Sequence, residues 1–433
     1  MYYYNYKGAN LVSVTPEKNL GPEIEPVTQG HLFAVVPGDP VLGRGSFKVT
    51  HPGQLLASHG LEVLDASRLP DLNSEFPWGE ALMPPLDCRP IPLMVDENVE
   101  RAIAGGRLTA VNTSRPGWED ILHWSPNPGK KRVNILAIGD VGSTLLTGLK
   151  LLGGDVISSI GICDLSDQIT ARWEFEMGQI NLPWQYDVFP EVEVVTPDQL
   201  FDCDMFVFVA SKGIPPVGSQ IKDVRMAQFE ANAGIVKHYA KMAREKGFQG
   251  LWCAVSDPVD PLAKTAYLES NRDENGVFDG RGLRPEQIQG FGLGVMNARA
   301  AYFAKRNSRL ASFLTEGRSF GPHGTGLWIA NSIDHYDEEI SAELTRLTVT
   351  ANLKMREIGF KPYVAPALSS GALSLLLTLR GEWHCGSVFL DGVYMGVKNR
   401  YTPAGIETEL LPRIPDPLFG HIQEAADHLK SII

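Results

Sequence analysis

The sequence has few cysteines, no long apolar run and no block of like charge, and each absence narrows what the chain can be. Five cysteines stand among 433 residues, at positions 88, 163, 203, 253 and 385, odd in number and without a CxxC pair. Such spacing offers neither a zinc ligand set nor a disulfide framework, so buried free thiols in a reducing compartment are expected. No apolar run approaches the ~20 residues of a membrane span. The start, "MYYYNYKGAN", lacks the charged-then-apolar order of a secretory signal. A cytoplasmic protein without a membrane partner is therefore expected. The net charge of -12, with no lysine- or arginine-rich run, argues against nucleic acid as a partner but leaves room for a small anionic ligand at local cations. Repeats, low-complexity tracts and calcium-loop spacing are missing too, and no metal site is expected.

What is present is an ordinary globular composition, 43% hydrophobic and 21% charged. The length exceeds what one core fills, which predicts two or three domains. Half of the 30 prolines fall in residues 1–130. That part reads as short strands and turns, with "HLFAVV" (31–36) and "LEVLDA" (61–66) as strands and "MPPLDCRPIP" (83–92) barred from a helix interior. From "KKRVNILAIGDVG" onward the texture changes. Apolar runs at 133–138, 156–163, 204–210 and 251–255 alternate with helical periodicity near 143–152, 168–180, 224–246 and 260–270. Strands apolar on both faces, alternating with helices, predict a parallel sheet covered on both sides. "RDENGVFDGRG" (272–282) carries hairpin chemistry at Asn275-Gly276. Domain boundaries are expected near 130, at "SPNPGKK", and near 310.

After the first of those strands comes "AIGDVGSTLLTGLKLLG". It matches a phosphate-binding turn as Ala137-x-Gly139-x-x-Gly142, with alanine at the first glycine position. Gly139 lets backbone amides approach a pyrophosphate, Gly142 lets the helix close on the strand, and the helix N-terminus adds partial positive charge. Asp164 ends the next strand, where a carboxylate suits the ribose hydroxyls of NAD and repels the extra phosphate of NADP. NAD is the expected cofactor.

Further on, "VRMAQFEANAGIV" holds Arg225 and Asn232, "AVSDPVD" (254–260) ends a strand, "GFGLGVMNARAAYF" (290–303) holds Arg299, and "FGPHGTGLWIANS" (320–332) holds His323. His323 follows Arg299 by 24 residues. In these segments, their order and their joint spacing, the chain resembles the lactate/malate dehydrogenase family from about residue 133 to its end. The resemblance implies an α/β architecture: a Rossmann-type doubly wound parallel sheet (131–309), then an α+β substrate domain (310–433); the proline-rich, strand-containing extension (1–130) that precedes them is absent from ordinary members. It implies an NAD-dependent oxidoreductase interconverting an L-2-hydroxy acid, or close analogue, and its 2-oxo acid. His323 then matches the proton-transfer histidine, Arg299 the arginine that clamps the substrate carboxylate, and Arg225 a loop arginine that polarises the carbonyl. Val141, Ala210, Asn232, Val255 and Ser256 match positions beside the cofactor, with Gly139, Gly142 and Asp164. A homo-oligomer, dimer or tetramer, is implied by the same analogy.

Three positions depart from the family pattern. The aspartate that normally supports the histidine, three residues before the clamp arginine, is Met296. The asparagine of the "SNPVD" segment is Asp257. The loop before Arg225, "ASKGIPPVGSQIKDVR", is longer and carries proline or valine where a specificity-setting glutamine or arginine is expected. One hypothesis joins the first two changes: Asp257 replaces the lost carboxylate as partner of His323 and belongs to the catalytic set. The other reading is a non-catalytic NAD(H)-binding or interaction protein. The third departure disfavours a dicarboxylate substrate unless Lys212 or Lys222 supplies a second cation. An NAD- and metal-dependent glycosidase shares the fold but needs a cysteine where none lies, between 254 and 384.

Overall fold

The computed structural model describes residues 1–70, 95–124, 128–212 and 224–433, except the side chains of 224–227. The 83–92 segment, Cys88 and much of the loop before Arg225, including Lys222, lie outside the described residues, as does part of "SPNPGKK". The chain divides into two compact units. One comprises 1–125 with 390–392 and 402–414, and the other 126–389 with 393–401 and 415–433.

The first unit is built on a mixed six-stranded sheet. Its strands are β1 (Tyr2–Tyr6), β2 (Ala9–Ser13), β3 (Glu23–Ile24), β4 (Leu32–Val35), β5 (Ser46–Lys48) and β6 (Leu108–Val111), in the order β3-β1-β2-β4-β6-β5. β1 and β2 form a hairpin over Lys7-Gly8, both left-handed at φ 50° and 84°, the turn whose twist matches paired strands. β2–β4 and β4–β6 run parallel. Val12, Leu32, Phe47 and Leu108 form its core beside Tyr3, whose hydroxyl donates to Asp96 at 2.7 Å. Asp96 in turn caps helix α1 (Glu97–Ala104) by accepting from the Asn98 and Val99 amides.

The "LEVLDA" segment corrects its expected strand: it forms two short 3-10 turns, Leu61–Leu64 and Ala66–Arg68. The reason is Asp65, fully buried, whose carboxylate accepts the Ser67 amide at 3.0 Å and the Ile414 amide at 3.1 Å. Local carboxylate-to-amide bonds outcompete extended pairing there.

In the second unit the predicted alternation is present. The parallel strands are β7 (Lys131–Leu136), β8 (Ile157–Cys163), β9 (Glu191–Val194), β10 (Met205–Phe208), β11 (Leu251–Ala254) and β12 (Ile288–Gly290). A small antiparallel pair follows, β13 (Arg318–Phe320) with β14 (Trp328–Ala330). β15 (His384–Leu390) then joins β12 antiparallel, and β16 (Val393–Thr402) continues that side of the sheet. The order β9-β8-β7-β10-β11-β12 reverses direction at β7 and β10, the doubly wound α/β arrangement.

Alternate strand residues feed two cores. Val133, Ile135, Val207 and Cys253 face α2 (Asp140–Leu152), through Leu145, Leu146 and Leu149. Leu136, Phe206, Phe208 and Trp252 face α4 (Val224–Glu245) and α5 (Val259–Ser270), through Val236, Ala240, Leu262 and Tyr267. Between α2 and α4 lies α3 (Asp167–Gly178). Each large side chain so buried contributes about 1.5–3 kcal/mol, which is why both faces must be covered. The later helices are α6 (Leu293–Ala304), α7 (Phe313–Glu316), α8 (Glu338–Glu357), α9 (Leu373–Arg380) and α10 (Asp416–Ile432), with a π-helical stretch, Pro366–Ala372, leading into α9. Among the described residues no helix is long and apolar enough to cross a membrane.

Candidate functional site

The first half of the site is the turn from β7 into α2. Ala137 takes a left-handed φ of 75°, the conformation for which glycine is usually chosen. Gly139 caps α2, and a Cβ added to it would meet nothing within 4 Å. Gly142 is the opposite case, since its added Cβ would lie 2.1 Å from the Ala137 carbonyl oxygen. No side chain is possible there without parting helix from strand. Val141 borders the same apolar cluster as Leu145. Asp164, just past β8, accepts the Ile138 amide at 2.8 Å and the Ser166 amide at 3.1 Å. It thereby ties the second strand end to the turn, and each oxygen keeps a lone pair for another donor.

The second half gathers at the ends of β10 and β11. Ser256 is buried and donates to the Ala210 carbonyl at 2.7 Å, while the Val255 amide donates to Phe208 at 3.0 Å. Asn232, fully buried on α4, accepts the Lys212 amide and donates to the Asp257 carbonyl, both at 2.8 Å. One amide side chain thus fixes the chain after both strands. Arg225 lies in the first turn of α4, and its side chain is outside the described residues.

His323 sits between β13 and β14 against Gly292, the residue before α6, whose added Cβ would lie 2.7 Å from the histidine Cβ. Its Nδ1 is 2.9 Å from Asp257 Oδ1. A carboxylate only accepts, so Nδ1 carries the proton and Nε2 is left for a ligand. Met296, one turn along α6 from Gly292, offers no carboxylate. Its sulfur instead accepts from the Arg299 guanidinium at 3.6 Å. Among the described residues Arg299 is bridged to no carboxylate.

Charge at the site favours an imidazolium. Burial, the largest single influence, works against it, but the charge and hydrogen bond of Asp257, helped by Asp260, hold the His323 pKa above its ordinary value, with Arg299 opposing. Arg299 is drawn below its usual value by burial, partly offset by Asp257. Two residues outside the sequence-derived set take part. Asp260 is buried, accepts the His323 amide at 3.3 Å and is bonded by the Ser387 hydroxyl. Asp260 was visible as the second acid of "SDPVD", but nothing local marked it as buried. Lys361 is the other late arrival, 2.8 Å from Asp140 in the first turn of α2.

The turn fits a dinucleotide by its own geometry: open space over Gly139, close closure at Gly142 and a carboxylate at the second strand end. Among the described residues of the turn, Asp140 is a contrary charge, and Lys361 offsets it. No cluster of three metal-ligating side chains occurs among the described residues.

No family model matches the chain. It is 26% identical over 204 residues to an L-lactate dehydrogenase of Treponema denticola, a match covering 47% of this chain and 58% of that one. It is 30% identical over 197 residues to one from Mycoplasma pneumoniae, covering 45% and 56%. Against an L-lactate dehydrogenase of Bacillus caldolyticus it is 22% identical over 333 residues, covering 71% and 98%. The chain thus spans little more than half the length of the first two relatives. Solved structures with the same fold include a lactate dehydrogenase from a deep-sea metagenome library (TM-score 0.57, 16% identity). A malate dehydrogenase from Picrophilus torridus is another (TM-score 0.55, 15% identity). Each covers 70% of this chain and at least 96% of the other.

Proposed function

We propose that this chain, a low-identity relative of the lactate/malate dehydrogenase family that shares its fold, is an NAD-dependent oxidoreductase interconverting an L-2-hydroxy acid, or close analogue, and its 2-oxo acid. The observation that carries the reading is the 2.9 Å contact between Asp257 and His323 Nδ1. It supplies the carboxylate that Met296 does not, and so favours catalysis over the non-catalytic binding alternative. NAD bound at the β7–α2 turn would supply the acceptor or donor of hydride. Gly139 and Gly142 admit and support it, Asp164 meets the adenosine ribose, and Val141, Ala210, Asn232, Val255 and Ser256 shape the nicotinamide side.

In the reduction direction His323, protonated and held by Asp257, gives its Nε2 proton to the substrate carbonyl oxygen as C2 is reduced. In oxidation the neutral ring takes that proton back. Arg299 holds the substrate carboxylate by two parallel hydrogen bonds, a task suited to a planar guanidinium without an internal carboxylate partner. Arg225 polarises the carbonyl. We assign 131–309 to the cofactor and 310–433 to the substrate, in a cytoplasmic homo-oligomer.

The substrate side chain is neutral, because the loop before Arg225 offers no arginine at the specificity position. A panel of 2-oxo acids with NADH tests both levels. Turnover of neutral 2-oxo acids ahead of oxaloacetate is expected. Preference for oxaloacetate contradicts the substrate class, and NADH fluorescence enhancement without any turnover supports the binding-protein reading instead.

A further inference from the structure

The deepest carboxylate near His323 has no part in the reaction as read above. Asp260 lies in the first turn of α5 and is 3% exposed. Two separate elements converge on it. Its Oδ2 accepts the backbone N–H of His323 at 3.3 Å, and its Oδ1 accepts the Ser387 hydroxyl from β15. The loop it holds is rich in freedom otherwise: Gly321, Gly324 and Gly326 all have positive φ, at 90°, 150° and 93°. Such a loop needs a fixed point at the histidine itself, and the His323 amide is that point.

We propose that Asp260 is a positioning residue for His323: it anchors the histidine loop through the backbone amide and sets a second, buried carboxylate beside the histidine, in addition to that of Asp257. The catalytic meaning of this rests on the dehydrogenase reading, but the electrostatics do not. Among the described residues the charged groups that face His323 are Asp257, Asp260 and Arg299, the first two favouring the imidazolium and the arginine opposing it. Asp257 reaches the ring from a half-exposed position, where solvent screens it. Asp257 still has the larger influence, through both its charge and its hydrogen bond, and Asp260 adds a smaller one from the interior. Burial pushes its own pKa up to about 6, against the Ser387 bond, the His323 amide and the His323 charge. Histidine and carboxylate are thus both displaced upward, and the charge of each is felt by the other. Above both pKa values the ring is neutral beside an ionised Asp260. On acidification the ring gains its proton first, stabilised by that charge, and Asp260 follows.

The experiment is an NMR titration of the His323 ring in the full chain without cofactor or substrate, comparing wild type with D260N and S387A. Wild type is expected to show a main transition above the ordinary histidine range and a second, smaller inflection near pH 6 as Asp260 protonates. D260N should lose the inflection and lower the main transition by roughly half a pH unit to one. S387A, which removes only the donor to Asp260, should move the inflection upward while the main transition remains. Should D260N fail to fold, S387A carries the test alone. A D260N curve superimposed on wild type, or an S387A inflection that does not move, overturns the proposal. Absence of NADH binding by wild type would instead remove the dehydrogenase reading and leave this titration comparison valid.

Discussion

The turn after β7 and the loop carrying His323 are built by different means. The turn is a backbone device: a left-handed residue at 137, a cap at Gly139 and a glycine at 142 with no room for a methyl group. The loop is a side-chain device, in which a histidine depends on carboxylates from elsewhere. Backbone clearance has to be met where it arises. A carboxylate can come from any element that reaches the ring, and here Asp257 stands at 2.9 Å while the family position holds Met296. Functional charge is portable in a way that steric closure is not.

That contrast predicts a descending series of effects. G142A should be the most damaging, because the new Cβ would lie 2.1 Å from the Ala137 oxygen. Overpacking of this kind costs about 1–3 kcal/mol or more, read as a lowered Tm together with lost NADH binding; a normal Tm would mean that the turn yields. H323Q should come next, with turnover reduced about 10²- to 10⁴-fold but Tm and NADH affinity retained, as measured by fluorescence titration. D140N should have the smallest effect. Removing the acid that Lys361 neutralises frees that lysine for the pyrophosphate, so NADH should bind a few-fold tighter, an advantage that fades in high salt. Weaker binding by D140N would show that the pair organises the turn.

Much of this was legible in the sequence because it was local. Strand residues from Val133 to Cys253 are apolar on both faces, and that pattern alone calls for helices on both sides. Gly139, Gly142 and Asp164 are proposed from strand-turn-helix order, and His323 from the family resemblance that its spacing from Arg299 helps to carry. What was hidden depends on distant parts of the chain. "LEVLDA" looks like a strand until Asp65 finds the Ile414 amide far along the chain. Asp260 is one acid among many until α5, β15 and the histidine loop enclose it. Met296 announced a missing carboxylate, and Asp257 was the candidate replacement by chemistry. Its ring contact is a fact of tertiary structure.

The central claim is that Asp257 now supports His323, and the pH dependence of kcat for 2-oxo acid reduction, wild type against D257N, tests it most directly. On the proposed mechanism reduction requires protonated His323, whose pKa Asp257 holds above its ordinary value, so activity should fall as pH rises through that raised pKa. In D257N the fall should move to lower pH by roughly one unit and the plateau should drop about ten-fold or more. A D257N profile that overlays wild type in both position and height would contradict the account.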